Sequence, residues 1–278
     1  MKIGKLEVHL LSDGVLKLDG GALFGQVPKV LWERLMKPDR KNRVRLGMNC
    51  LLIRSPDGNI LVDTGAGNKH DDRTREIFGL STSKLARNLR DVGVAPKEVS
   101  CVVLSHLHFD HAGGGTKANR RGAIIPTFPK AQYFIQQAAW DDAVDPTDRG
   151  RASYDQADFQ PLLEKERIRF LHGDYELAPG IWLQVTGGHC SGHQIVLING
   201  GGSKVAFLGD LVPTPYHLSA PYISALDQFP EETLVKKREL LDMLEREGWL
   251  ILFAHGYEHR AGYLERRDGR ISLRPVTI

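Results

Sequence analysis

The chain has 278 residues, 41% of them hydrophobic and 26% charged, with a formal net charge of +3 and a pI near 8.7. That length can bury a substantial core in one large α/β domain or two smaller ones. So mild and scattered a positive charge gives no basis for a nucleic-acid surface. No window approaches the ~18 uninterrupted apolar residues of a membrane span, and the N-terminus lacks a signal-peptide apolar run. A cytoplasmic protein with no membrane partner is expected, and the odd, sparse set Cys50, Cys101 and Cys190 suits a reducing compartment.

In chain order, Leu6, Val8 and Leu10 alternate as in a strand. Residues 14–48, rich in Gly, Pro and basic side chains, read as an extended N-terminal arm with a short helix near Lys29–Met36. Asn49–Ile53 and Ile60–Val62 flank Pro56-Asp57-Gly58-Asn59 as a hairpin. Leu85 and Leu89 mark a helix over 81–92, with Ser81 or Ser83 as its N-cap and Gly93 as its stop. Val99–Leu104 is a buried strand, and the more polar stretch 116–165 reads as a helical insertion over whatever site that strand delivers. Strands return at Ile168–Leu171, Ile181–Thr186, Gln194–Ile198 and Lys204–Leu208, the last two joined through Asn199-Gly200-Gly201-Gly202-Ser203. Pro230, with Glu231 and Glu232 in the first turn, opens a helix running to about Glu247. Leu250–Phe253 is then a strand, and Arg270-Ile271-Ser272-Leu273 another. Strands and helices thus occur twice over in a single domain, a pattern that suits two β-sheets packed face to face with helices outside.

The chemistry concentrates at strand ends. Directly after Val102-Val103-Leu104 comes Ser105-His106-Leu107-His108-Phe109-Asp110-His111-Ala112-Gly113-Gly114, four potential metal ligands within six residues. Crowded polar groups at the end of a buried strand are costly unless something holds them, and a pair of divalent cations would. His106 and His108, two apart in an extended loop, can turn toward one metal, and Asp110 and His111 can reach a second. Imidazole and carboxylate ligands suit zinc, iron, manganese or cobalt. The same design recurs at Thr186-Gly187-Gly188-His189 and at Ile251-Leu252-Phe253-Ala254-His255. Val205–Leu208 leads through Gly209 into Asp210, a carboxylate placed to bridge two metals. His193 is expected beside the ligands rather than among them, Asp63 to orient a ligand His, and His9, His70, His172, His217 and His259 to be surface or locally hydrogen-bonded residues.

The His106–His111 motif, Gly188-His189, Gly209-Asp210 and Ala254-His255-Gly256, in that order across about residues 50–260, resemble the metallo-β-lactamase superfamily. The resemblance implies an αββα sandwich, two packed mixed β-sheets with helices on the outer faces, and a binuclear site in the cleft between them. It implies two divalent metal ions, zinc first, with His106, His108 and His189 on one, Asp110, His111 and His255 on the other, and Asp210 bridging. It also implies hydrolysis by attack of a hydroxide held between the metals, with Asp110 passing a proton to the leaving group.

Asp210 argues against β-lactam hydrolysis as the main task, because zinc β-lactamases do not use a bridging Asp there. The arm, Asp19-Gly20-Gly21-Ala22-Leu23-Phe24-Gly25-Gln26-Val27-Pro28-Lys29 with Leu31-Trp32 and Asn42-Arg43, and Gly209–Leu218, resemble the quorum-quenching lactonase and methyl-parathion-hydrolase-like branch. That implies a lactonase opening N-acyl-homoserine or related lactones, a small-molecule lactone or ester as the binding partner, and a homodimer formed through the arm. The alternatives are a phosphotriesterase or arylesterase with incidental lactonase activity, and a metal-containing ligand sensor without catalysis. Lactonases of that branch carry a Tyr three residues after the bridging Asp; here the position is Pro213. Tyr216 is the catalytic candidate to replace it, with Tyr222 as a second. Phe24, Trp32 and Phe109 are candidates for an apolar substrate wall.

Overall fold

A computed structural model describes residues 1–266 and 268–278, with residue 267 given only by its place in a strand. The elements, in chain order, are β1 (Lys2–Ile3), β2 (Leu6–Asp19), α1 (Gly20–Phe24), α2 (Lys29–Trp32), β3 (Arg43–Ser55), β4 (Gly58–Val62), α3 (Asp72–Ile77), α4 (Leu85–Asp91) and β5 (Val99–Val103). Then follow α5 (Phe109–Ala112), β6 (Thr116–Ala118), β7 (Ile124–Pro126), β8 (Gln132–Gln136), α6 (Gln137–Val144), α7 (Gln160–Glu164) and β9 (Ile168–Leu171). The second half holds β10 (Tyr175–Ala178), β11 (Ile181–Val185), β12 (Gln194–Gly200), β13 (Ser203–Phe207), α8 (Pro230–Arg246), β14 (Leu250–Leu252), β15 (Ala261–Arg267) and β16 (Arg270–Pro275).

Two large mixed sheets result, ordered β1-β2-β3-β4-β5-β8-β9 and β10-β11-β12-β13-β14-β15-β16. Period-two alternation decides which side each residue serves. Leu51, Ile53, Ile60, Val62, Cys101 and Val103 point into a core shared with Ile181, Leu183, Val196, Val205, Phe207, Leu250 and Leu252 of the second sheet. Their neighbours Leu52, Leu61, Val102, Tyr133 and Ile135 face outward onto Leu85, Leu89, Trp140 and Leu162 of α4, α6 and α7. Ala206 and Ile251 do the same against Leu240, Leu241 and Leu244 of α8. The architecture is the αββα sandwich. Among the described residues no helix is long and apolar enough to cross a membrane.

The strand boundaries differ from the sequence reading in two places. The ends of the expected arm, 14–19 and 43–48, belong to the ribbon β2–β3, leaving 20–42 as the excursion. The span 116–165 is not simply a helical insertion: β8, with Tyr133, Phe134 and Ile135 buried, lies between β5 and β9 in the first sheet. Its short apolar run was masked by the polar residues around it. The hairpin turns fall where expected, and Gly201 and Gly202 both take the positive φ that a two-residue loop between Gly200 and Ser203 requires.

The cap of α4 is also different. Neither Ser81 nor Ser83 caps it; the register of β2 against β3 shifts between Ser12 and Gly14, and Asp13, buried at this bulge, accepts the Leu85 N–H (3.2 Å) and the Gly67 N–H (3.1 Å). A second buried charge, Lys69, lies 2.8 Å from the Asp158 carboxylate and donates to the carbonyls of Gly113 and Thr116, just behind the His motif.

Burial drives the Asp158 carboxyl up to about 6 despite Lys69. With the folded value above the ordinary 3.8, its contribution to stability is complete below pH 3.8 and is lost as pH rises through about 6. Wild type should therefore lose roughly 2–3 kcal/mol across that window relative to Asp158→Asn. Denaturant unfolding of both proteins at a series of pH values checks this, and parallel curves would refute it.

Candidate metal centre

The site forms where β4, β5, β13 and β14 end. These strands make the parallel pairs β4–β5 and β13–β14, so within each sheet they deliver their C-terminal residues to the same edge. Asp63 follows β4, the His106–His111 motif follows β5, Asp210 follows β13, and His255 follows β14; His189 comes from the turn between β11 and β12. Glycine is required at two of these points. A Cβ at Gly114 would sit 2.0 Å from the Thr64 carbonyl oxygen, and one at Gly209, which has φ +51, would sit 2.5 Å from His193 Nε2.

Four of the five rings are gripped from behind. His111 Nδ1 lies 2.8 Å from Asp63 Oδ2, and Asp63 also accepts the Ser105 N–H (2.7 Å) and hydroxyl (2.9 Å). Asp63 takes φ +56, an unfavourable conformation for most side chains but one that Asp tolerates. His255 Nδ1 donates to the Gly47 carbonyl (2.8 Å), and His189 Nδ1 meets Asp227 Oδ1 (2.8 Å). His106 Nδ1 is 3.0 Å from the Ser105 hydroxyl.

The opposite nitrogens converge. His111 Nε2 and His255 Nε2 stand 3.1 Å apart, as do His189 Nε2 and His108 Nδ1. Asp210 Oδ1 lies 3.2 Å from His111 Nε2 and 3.1 Å from His255 Nε2, while Oδ2 turns toward His189 Nε2 at 3.5 Å. Asp110 Oδ2 is 3.5 Å from His255 Nε2. Three overlapping sets have ligand geometry: His106, His108 and His189; His106, His111 and Asp210; and Asp110, His111 and His255.

The residues fit a pair of divalent cations. His106 Nε2 and Asp210 Oδ1 are buried without a hydrogen-bond partner among the described residues, a costly state unless a cation takes their lone pairs. With Nδ1 of His255 committed as a donor to a carbonyl, its Nε2 offers a lone pair straight at His111 Nε2. The electrostatics agree. Burial opposes charge on every ring, and neighbouring imidazoles add to it at His106 and His108, which fall well below the usual range. At His111, His189 and His255, burial is outweighed by Asp210 and the other carboxylates, and these rings rise. Asp210 is held well below the ordinary carboxylate range: burial pushes it up, but His255, His111 and His189 pull it further down. The cleft is built to keep positive charge beside Asp210.

The sequence-predicted ligands His106, His108, Asp110, His111, His189, Asp210 and His255 are all brought together. His193 stands behind them: its Nδ1 meets the Thr186 hydroxyl (2.7 Å), its Nε2 accepts the Asp210 N–H (3.0 Å), and burial pushes it down to about 3. Asp227 was missed. It lies in Leu226-Asp227-Gln228-Phe229, which has no ligand spacing, and only the three-dimensional fold sets it against His189. His217 is locally bonded, as expected, with Nδ1 2.8 Å from the Thr214 hydroxyl, and it is also buried, with Nε2 on the Leu23 carbonyl and its ring stacked on Phe24.

Tyr216 is not brought to the cluster. A cavity of about 150 Å³ opens over the ligands, lined by His108, Asp110, His189, Asp210 and His255 with Leu16, Leu18, Phe109 and Pro213 among its walls. Tyr216 instead lines a neighbouring cavity of about 340 Å³, its hydroxyl 3.4 Å from Glu258 Oε2. The turn Pro215–Leu218, opened by the Thr214 hydroxyl on the Tyr216 N–H, sends it there. Tyr222 packs edge-on against Phe24, and Phe24 and Trp32 stack in the buried core of the arm, leaving Phe109 as the expected wall residue that lines the cavity.

Comparison with known proteins points the same way. Residues 44–255 match the family profile of the Metallo-beta-lactamase superfamily. The chain is 28% identical over 241 residues to an N-acyl homoserine lactonase of Bacillus cereus, covering 80% of this chain and 86% of that one. A probable metal-dependent hydrolase from Staphylococcus aureus superposes with a TM-score of 0.90 at 30% identity, each chain fully covered. An N-acyl homoserine lactone hydrolase, with N-hexanoyl-L-homoserine bound at its catalytic metal center, superposes with a TM-score of 0.69 at 26% identity over 93% of this chain and 95% of that one.

The grip from behind is testable. Asp63→Asn and Asp227→Ala should each weaken metal affinity by about 10–100-fold while circular dichroism stays unchanged. Competition with a chromogenic chelator measures this, and wild-type affinity in both variants would show that the rings need no such support.

Proposed function

The chain belongs to the metallo-β-lactamase superfamily and is a metal-dependent hydrolase, and from that premise we propose that it opens lactones, N-acyl homoserine lactones foremost, at a binuclear centre. The observation that carries the reading is the convergence of five buried imidazoles and two carboxylates beneath an apolar cavity. His106, His108 and His189 would hold one cation, Asp110, His111 and His255 the other, with Asp210 between them, and zinc is the metal proposed. Such a pair supplies Lewis acidity for the carbonyl and a water acidic enough to attack at neutral pH.

The chain's own residues do the rest. Leu16, Leu18, Leu23, Leu46, Phe78, Phe109 and Leu226 form a wall that takes an acyl chain and keeps bulk water from the ring. Asp110, facing both the cavity and His255, carries the proton to the leaving alkoxide oxygen. Asp63, Asp227 and the Gly47 carbonyl fix ring orientation, so no reorganisation is needed during turnover. The reading extends to a cytoplasmic homodimer. The buried free thiols of Cys50, Cys101 and Cys190 suit the cytoplasm, and Val30, Leu31 and Leu35, exposed on the arm, suit a homodimer.

His106→Ala and Asp210→Ala are each expected to cut lactone opening by at least about 10³-fold, with bound metal falling from about two ions per chain. Elemental analysis and a pH-stat assay on the same samples decide it; turnover surviving either change would remove these residues from the reaction.

One observation favours a second reading, an arylesterase or phosphotriesterase. Pro213 stands in the cavity wall, Tyr216 turns to Glu258, and Tyr154, packed on His108, gives its hydroxyl to Asp142, so no tyrosine among the described residues lines the cavity to assist a lactone carbonyl. The lactonase reading expects kcat/KM for N-hexanoyl homoserine lactone to exceed that for an aryl phosphotriester by about 10²-fold or more. The reverse order would establish the alternative.

A further inference from the structure

The walls of the ligand cavity are apolar apart from the ligands themselves, Ser153, Ser224 and one cation, Arg149. Ser224 is spent locally: its hydroxyl donates to the Ala22 carbonyl and accepts the Leu226 N–H. Arg149 is not. Its Nη2 donates to the carbonyls of Ala225 and, at 3.3 Å, Asp227. Nη1 and Nε have no protein acceptor, and no carboxylate pairs with the guanidinium, among the described residues. A planar cation fixed on one side by two carbonyls and left with free N–H groups beside an apolar cavity is set to bind an oxygen acceptor. The turn that fixes it is the same one that carries Asp227 to His189, so its position is tied to that of the cluster. With Pro213 offering no donor and Tyr216 facing elsewhere, this cavity contains no other cationic donor outside the ligand set.

Resting on the lactonase reading, we propose that Arg149 is a specificity-determining residue, its free N–H groups binding an oxygen acceptor of the ligand: the amide carbonyl of an N-acyl lactone, outside the scissile ester, or the carboxylate that opening of that ester leaves on the product. A site built to hydrogen-bond such a group discriminates against analogues that lack it, and a charge-assisted hydrogen bond is worth about tenfold or more in affinity.

The test compares N-hexanoyl homoserine lactone with an alkyl γ-lactone of similar length, which has no amide, in the metal-loaded wild type, Arg149→Met and Arg149→Lys. The ratio of the two kcat/KM values should fall about tenfold or more in Arg149→Met, mainly through KM, and recover in part in Arg149→Lys. Calorimetric titration with the product carboxylate N-hexanoyl-homoserine should show binding weakened by at least about tenfold in Arg149→Met. A lowered ratio assigns Arg149 to the amide, a group the product retains, and weakened product binding with an unchanged ratio assigns it to the carboxylate. An unchanged ratio with unchanged product binding overturns the proposal. So does loss of metal from Arg149→Met by elemental analysis, which would make the residue a brace for Asp227 and His189. If wild type opens neither lactone, the lactonase reading fails on its own, and the titration still decides Arg149: weaker binding by the variant supports it, equal binding refutes it.

Discussion

Five imidazoles and two carboxylates cannot share one buried cleft without something to compensate them, and most of the local structure is an answer to that constraint. Ring nitrogens of His111 and His255 meet at 3.1 Å, and a carboxylate oxygen of Asp210 sits with no hydrogen-bond partner among the described residues in their midst. Left alone, such an arrangement would relax by turning the rings. It does not, because Asp63, Asp227, the Ser105 hydroxyl and the Gly47 carbonyl hold the rear nitrogens. The repulsion is thereby kept in place as affinity for positive charge.

The sandwich provides what this requires. Each sheet contributes a parallel pair whose strand ends face the cleft, and apolar residues on both sides of every strand make those ends rigid. A carboxylate and an imidazole emerge from each: Asp63 with the His motif in one sheet, Asp210 with His255 in the other. Behind the motif, Lys69, paired with Asp158, holds the carbonyls of Gly113 and Thr116, so the chain directly after the short helix α5 is anchored. Precision at the cleft derives from packing elsewhere.

The features visible in the sequence were those carried by local pattern. A short apolar run ending in His or Asp marks both the strand and the candidate ligand it delivers, so β5, β13 and β14 and the seven residues that converge in the cleft could be read together. What stayed hidden depended on distant partners. Asp227 has no motif; the cap of α4 is Asp13, supplied from a bulge in β2; the support for His255 is the backbone carbonyl of Gly47, and a carbonyl leaves no side-chain signal in the sequence. The expectation for Tyr216 failed differently. Proximity along the chain to Asp210 was a fair guide to distance but not to direction, and the turn at Pro215 reversed it.

The long ribbon β2–β3 ties together two properties that usually vary separately. Leu16, Leu18 and Leu46 wall the cavity, and Gly47, paired with Val15, holds His255 through its carbonyl. A slip of one residue in this pairing would exchange the two faces of the strands and withdraw both at once. Side chains at 16, 18 and 46 are thus free to be exchanged for others of similar volume as the diet of the enzyme changes. The phase of the ribbon is not, because new specificity gained by inserting a residue there would come with a loosened metal ligand.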